Sequence, residues 1–231
     1  MPPKAAAGTH APDRLTPASL ARGVDLLSRA DPDLARVARE HGTPPLWERA
    51  EGFPTLVLII LEQQVSLASA AAAFVRLEEC ASPLTPEAFL KLDDARLRRI
   101  GFSRQKALYC RLAARAAREG ELDFDALASS DDDAARAALM RLKGVGPWTA
   151  EIYLLRALGR PDAWPSGDLA LQIAALEVKR LATRPNAAEL DALAEGWRPL
   201  RAVAARLLWV HYLEGPRGAA ARRALDAEGR S

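Results

Sequence analysis

Two turns rich in Gly and Pro, joined by one apolar helix-patterned run, constrain this chain more than any other feature. The stretch from Leu142 to Leu171 reads L-K-G-V-G-P-W-T-A-E-I-Y-L-L-R-A-L-G-R-P-D-A-W-P-S-G-D-L-A-L. Gly144 and Gly146 flank Val145, and Pro147 opens the run, so the glycines sit where a tight turn feeds a helix N-terminus. Pro165-Ser166-Gly167 makes a second turn and delivers Asp168 to the start of the next helix. A Gly-x-Gly turn ahead of a helix presents backbone N–H groups unobstructed by side chains, and the helix dipole adds positive potential there. One turn can therefore hold a phosphate and the other can aim a carboxylate. Taken singly, each has a plainer reading: a structural helix-turn-helix corner, and an N-cap for Asp168.

The rest of the chain predicts an all-α protein. Ala, Leu and Arg dominate, aromatics are 6% of the 231 residues, and alternating Val/Ile/Thr-rich runs are almost absent. Residues 1–17, rich in Pro, Ala and Thr, read as a disordered lead-in. Helices are expected at Ser19 to Ala30 and Pro32 to Glu40, with a Pro-containing loop from Gly42 to Glu51. From Phe53 to Leu61 the sequence is apolar on every face, which suits a helix buried at the centre of a bundle. Glu62-Gln63-Gln64-Val65-Ser66 follows abruptly, a polar turn that either caps helices or exposes an amide to probe a partner. Further helices are expected at Leu67 to Glu79, Asp93 to Ile100, Gln105 to Glu119 (capped by Ser103), Leu122 to Leu127, Asp131 to Leu142, Asp168 to Leu181, Ala187 to Ala194 and Leu200 to Leu213, with a basic tail helix from Pro216 to Ala227.

Composition narrows the chemistry. A formal net charge of +2 neither demands nor excludes nucleic acid, although basic residues gather at 96–106, at Arg141 and Lys143, and from Arg198 to Arg223. Cys80 and Cys110 are too few for a thiolate iron–sulfur cluster or a structural zinc site. His10, His41 and His211 are scattered without metal-ligand spacing, which argues against a transition-metal enzyme. No apolar segment reaches the roughly 20 residues needed to span a bilayer, and no signal-peptide core is present, so a soluble cytoplasmic protein is expected.

L-K-G-V-G-P-W-T-A and W-P-S-G-D, together with I-L-E-Q-Q-V-S from Ile60 and G-F-S-R-Q-K-A from Gly101, resemble the helix–hairpin–helix superfamily of DNA glycosylases. The branch most similar is 3-methyladenine DNA glycosylase II, and the resemblance covers roughly Phe53 to Gly215. It implies two helical lobes, residues 52–160 and residues 18–51 plus 161–231, with a cleft between them and no N-terminal β domain. Asp168 would be the catalytic carboxylate beside the deoxyribose C1′, and Gln64, with Gln63 beside it, the wedge that fills the stack after base flipping. This wedge differs from the aliphatic one of bacterial relatives. Trp148 stands where strand-cleaving relatives carry the Schiff-base lysine, so the resemblance implies a monofunctional enzyme that uses water.

Trp148, Tyr153, Trp197 and His211 are the candidate base-pocket residues, His211 standing where a related bacterial enzyme has a pocket tryptophan. Lys143, Gly144, Val145, Gly146, Thr149, Ser103 and Lys106 are the candidate DNA contacts. The backbone carbonyls of Met140, Leu142 and Val145 resemble a monovalent-cation site for Na+ or K+, and no cofactor is required. The expected partner is duplex DNA carrying 3-methyladenine or 7-methylguanine, the expected state a monomer associated with the nucleoid. Two rivals stand beside this reading: a non-catalytic DNA-binding module, and the same fold acting on deaminated or oxidised bases.

Overall fold

The computed structural model describes residues 13–228, and among these every regular element is helical. In chain order the helices are α1 (Pro17–Ala30), α2 (Pro32–His41), α3 (Phe53–Glu62), α4 (Leu67–Cys80), α5 (Pro86–Leu90), α6 (Asp94–Ile100), α7 (Arg104–Arg118), α8 (Phe124–Ser129), α9 (Asp132–Met140), α10 (Pro147–Arg156), α11 (Leu169–Val178), α12 (Ala187–Ala194), α13 (Arg201–Glu214) and α14 (Ala219–Glu228). A 3-10 turn, Glu195–Trp197, follows α12. None of these helices is long and apolar enough to cross a membrane.

Helix starts follow the capping residues closely. Asp31, Ser66, Thr85, Asp93, Ser103, Asp123, Asp131, Asp168 and Asn186 each accept a hydrogen bond from a first-turn N–H. The lead-in is a correction. Thr16 and Ser19 form a capping box that starts α1 at Pro17. Leu15 is 3% exposed and its N–H donates to the Gly159 carbonyl, while Arg14 pairs with Glu51. Residues 13–17 are thus tied to the body, and residues 1–12 of the expected lead-in lie outside the described residues.

α3 is the central helix, buried along nearly its whole length against α4, α7 and α10. α3 to α10 pack chiefly on one another, and α1, α2, α11 and α13 on one another, with α14 bound to both α13 and α4. The chain joins these sets through the loop from Gly42 to Gly52 and the segment after α10. Buried arginines hold both joins. Arg206, fully buried on α13, donates from Nε to the Leu46 carbonyl (3.1 Å), from Nη1 to Ala202 (3.0 Å) and from Nη2 to Leu155 (3.1 Å). Leu155 lies in the last turn of α10, whose carbonyls have no helical donor and whose dipole end attracts a cation. Burial, and then the neighbouring Arg156, push the Arg206 guanidinium down to about 9, so it stays charged at neutral pH. The adjoining pair, Arg49 and Glu62, is a bidentate bridge with both side chains buried.

Arg206→Met keeps the volume but strands the Leu46 and Leu155 carbonyls. At roughly 1–3 kcal/mol for each orphaned buried group, urea denaturation should show a loss of about 3 kcal/mol. A variant as stable as the wild type would show that these bonds do not hold the two helix sets together.

Candidate active site

The hairpin is α9, the turn from Arg141 to Gly146, and α10. Val145 N–H donates to the Leu142 carbonyl (3.0 Å) to close the turn, and the Val145 side chain, 5% exposed, plugs it into the core. Gly144 has φ +94, and a Cβ there would lie 2.1 Å from the Tyr109 ring, so the position demands glycine for two reasons. Gly146 is exposed with open space around it. Among the described residues the N–H groups of Gly146, Trp148 and Thr149 have no acceptor, as expected where α10 begins. Lys143 is exposed beside them.

The polar turn after α3 docks onto this hairpin. Gln63 donates from Nε2 to the Gly144 carbonyl and to Thr149 Oγ1, both at 2.9 Å. Gln64, the next residue, is exposed with φ +57, a left-handed conformation that tips its side chain away from the α3 path. Three expected DNA contacts are corrected here. The Gln63 amide is committed to the hairpin and cannot accompany Gln64 as a wedge. The Thr149 hydroxyl is buried as the acceptor of that amide, leaving only its backbone N–H to offer. Lys106 donates from Nζ to the Leu61 carbonyl at the end of α3 (2.6 Å), and burial lowers its pKa. It satisfies a helix terminus, not a phosphate. Ser103 is exposed and caps α7 through the Lys106 N–H.

Asp168 lies where α10, α11 and α13 converge. Its Oδ2 accepts from Trp148 Nε1 (3.0 Å), and its Oδ1 accepts from Trp209 Nε1 (3.1 Å) and from the Leu171 N–H (3.0 Å). The turn that carries it is held from α10: the Trp164 N–H donates to Glu151 Oε2 (2.8 Å), whose other oxygen accepts from Arg136. Asp168 N–H closes the turn on the Pro165 carbonyl (2.8 Å). An N-cap needs only the Leu171 bond; the two indoles fix the carboxylate plane beyond capping.

Trp209 was not among the sequence candidates, and it brings a second tryptophan with it. Trp47 packs edge-on against Trp209 with centroids 6.3 Å apart. Trp47 has φ +49, a strained conformation for a non-glycine residue. Its carbonyl accepts from Arg156, and the preceding carbonyl accepts from Arg206, so the strain is held by buried guanidinium groups.

Three expected pocket residues lie elsewhere. Tyr153 is fully buried, its hydroxyl accepts from the Gly52 N–H (2.8 Å), and burial raises its pKa: it is core. Trp197 is 3% exposed, donates to Asp31 Oδ2 (2.8 Å) and packs edge-on against Trp164. His211 sits two residues beyond Trp209, about 200° round α13 at roughly 100° per residue, and faces Glu177 and His41.

A family model described as the HhH-GPD superfamily base excision DNA repair protein matches residues 57–199, and the chain belongs to that superfamily. The match contains Gln63, the hairpin and Asp168 but stops before Trp209. Two solved structures are similar over most of the chain. One is the Schizosaccharomyces pombe 3-methyladenine DNA glycosylase Mag1 in complex with abasic DNA (TM-score 0.76, 25% identity, 83% of this chain and 95% of that one). The other is a Bacillus halodurans DNA-3-methyladenine glycosidase (TM-score 0.72, 28% identity, 90% and 96%). YfjP, a Bacillus subtilis protein named for DNA-3-methyladenine glycosylase activity, is 28% identical over 184 residues, 76% of this chain. The chain spans 64% of that relative's length.

Gly144→Ala should lower stability by about 2 kcal/mol in thermal unfolding, from the left-handed backbone and the clash with Tyr109. Adding Tyr109→Ala removes the clash and should recover part of the loss relative to Tyr109→Ala alone. An unchanged melting temperature in Gly144→Ala would contradict the packing described.

Proposed function

We propose that this chain is a monofunctional DNA glycosylase that removes alkylated purines such as 3-methyladenine and 7-methylguanine from duplex DNA. The observation that carries the reading is the Asp168 carboxylate, oriented by Trp148 and Trp209 at the end of the hairpin helix. The names of the relatives and the abasic-DNA complex of Mag1 support it.

In this reading the orphan N–H groups at the start of α10 and exposed Lys143 grip one backbone phosphate. The carbonyls of Met140 and Val145 accept no hydrogen bond among the described residues, and Leu142 accepts only from Val145. Such free oxygens fit a hard monovalent cation, which when bound would add positive charge beside that phosphate. Gln64 is the exposed tip that fills the stack after the nucleotide flips. As the C1′–N bond breaks, its electron pair leaves with the base and positive charge grows on the sugar. The fixed carboxylate stabilises that charge and orients a water whose oxygen adds to C1′ and whose proton is lost to solvent. A purine made cationic by alkylation is a good leaving group and stacks well on the electron-rich faces of indoles. Trp148 has no amine, so no Schiff base forms. The two helix sets act as the lobes over residues 52–160 and 18–51 plus 161–231, and the chain acts as a monomer.

The test uses the full chain with methylated duplex DNA and with duplexes carrying single hypoxanthine or 8-oxoguanine bases. Methylpurine release should dominate, the strand should stay intact until alkali is added, and borohydride should trap no enzyme–DNA adduct. Tight binding without release of any base would favour the non-catalytic module, preferential release of the deaminated or oxidised base would move the substrate class, and a trapped adduct would overturn the water mechanism.

A further inference from the structure

Two of the three histidines, far apart in sequence, meet on the face of α13 that turns away from Trp209. The His41 and His211 rings approach edge-on with centroids 5.9 Å apart. One carboxylate oxygen of Glu40 and one ring nitrogen of each histidine all lie within 4.8 Å of one another. His211 Nδ1 is buried with no hydrogen-bond partner, while its Nε2 lies 3.4 Å from a Glu177 carboxylate oxygen. Both imidazoles are half-buried, with side chains 20% and 21% exposed. The charged neighbours are Arg36, 3.6 Å from Glu40, and Arg217, paired with Glu177. A cavity of about 280 Å³ opens alongside, lined by Glu177, Tyr212, Gly215, Pro216 and Arg217. The reading of the histidines as scattered therefore holds along the sequence but not in space.

We propose that His41, His211 and Glu40, with Glu177 as a fourth ligand, bind a divalent transition cation of the zinc type. Two imidazoles and a carboxylate are the donor set that borderline cations select over Mg2+ or Ca2+. Metal–ligand bonds of about 2.0–2.2 Å place tetrahedral ligand atoms roughly 3.3 Å apart. Glu40, His41 and His211 must close from 4.8 Å to that spacing, Glu177 already lies 3.4 Å from His211 Nε2, and both glutamates are exposed and able to turn toward the imidazoles. Each carboxylate exchanges an arginine partner at the surface for the cation, and such exposed pairs contribute little by themselves.

The position gives the site a consequence. His41 is the last residue of α2 and opens the loop that carries Trp47, while His211 shares α13 with Trp209. A bound cation ties α2 to α13, and so fixes the spacing of the two elements that bring Trp47 and Trp209 together. This inference stands on side-chain geometry alone and does not depend on the proposed reaction.

The test titrates the full chain, stripped of metal, with Co2+ and then Zn2+. One equivalent of Co2+ should bind with the visible ligand-field bands of a four-coordinate site, Zn2+ should displace it, and the thermal midpoint should rise on binding. His41→Gln and His211→Gln should each weaken binding more than about tenfold, with metal-free circular dichroism verifying the fold. Should either variant fail to fold, Glu40→Gln combined with Glu177→Gln changes only exposed side chains and should weaken binding by a similar factor. The proposal is overturned if the wild type shows no saturable Co2+ binding. It is equally overturned if binding survives undiminished in the folded variants, which would assign the metal to His10 or another group.

Discussion

One carboxylate, that of Asp168, receives N–H groups from three helices. Trp148 reaches Asp168 from α10, Trp209 from α13, and Leu171 from the α11 that Asp168 itself caps. Hydrogen bonds to a charged acceptor are stronger and more directional than neutral ones, so three donors set both the position and the plane of the group. For the donors to meet, α10 and α13 must come close although they belong to different helix sets. That approach is made by Arg206, whose guanidinium joins the end of α10, its own helix and the loop that carries Trp47. A buried cation whose hydrogen bonds all go to carbonyls is costly, and here it ties α10 and α13 to the loop that carries Trp47.

A second coupling links the hairpin to the turn after α3. Gln63 spends its amide on Gly144 and Thr149, and Lys106 spends its amine on the end of α3, so Gln64 projects from a turn that is fixed on both sides. The hairpin turn, proposed to grip a phosphate, and the exposed tip therefore form one unit. The proposed wedge role of Gln64 calls for such rigidity, because positional error at the tip is converted directly into lost stacking.

The hairpin, Asp168 and the all-helical architecture were legible because they rest on local signals: Gly-x-Gly-Pro, Pro-x-Gly-Asp and helix periodicity with caps. Trp148 was legible because it stands beside those signals. Trp209 and Trp47 were not. Trp209 lies in Leu-Leu-Trp-Val, which reads as core, and Trp47 lies in a Pro-containing loop with no motif of its own. Placing His211 in the pocket overlooked helical phase, since two positions along α13 carry a side chain to the opposite face. Gln63, Thr149 and Lys106 misled for another reason. Their polarity looked like an offer to a ligand, but the folded chain leaves carbonyls at the end of α3 and in the hairpin turn, which Lys106 and Gln63 satisfy, and the Thr149 hydroxyl accepts the same Gln63 amide. Which orphan groups a fold creates is a tertiary property that sequence does not display.

The pinned Asp168 carboxylate is proposed to do chemistry beyond capping a helix. Asp168→Asn retains the size of the side chain and an oxygen for the Leu171 N–H, so the cap and the fold survive. Single-turnover release of 7-methylguanine from methylated duplex, measured beside duplex affinity, separates the two roles. The account predicts affinity within about twofold of wild type and release slower by at least about 100-fold, the scale of losing one preorganised electrostatic stabiliser. Release at the wild-type rate with unchanged affinity would contradict it.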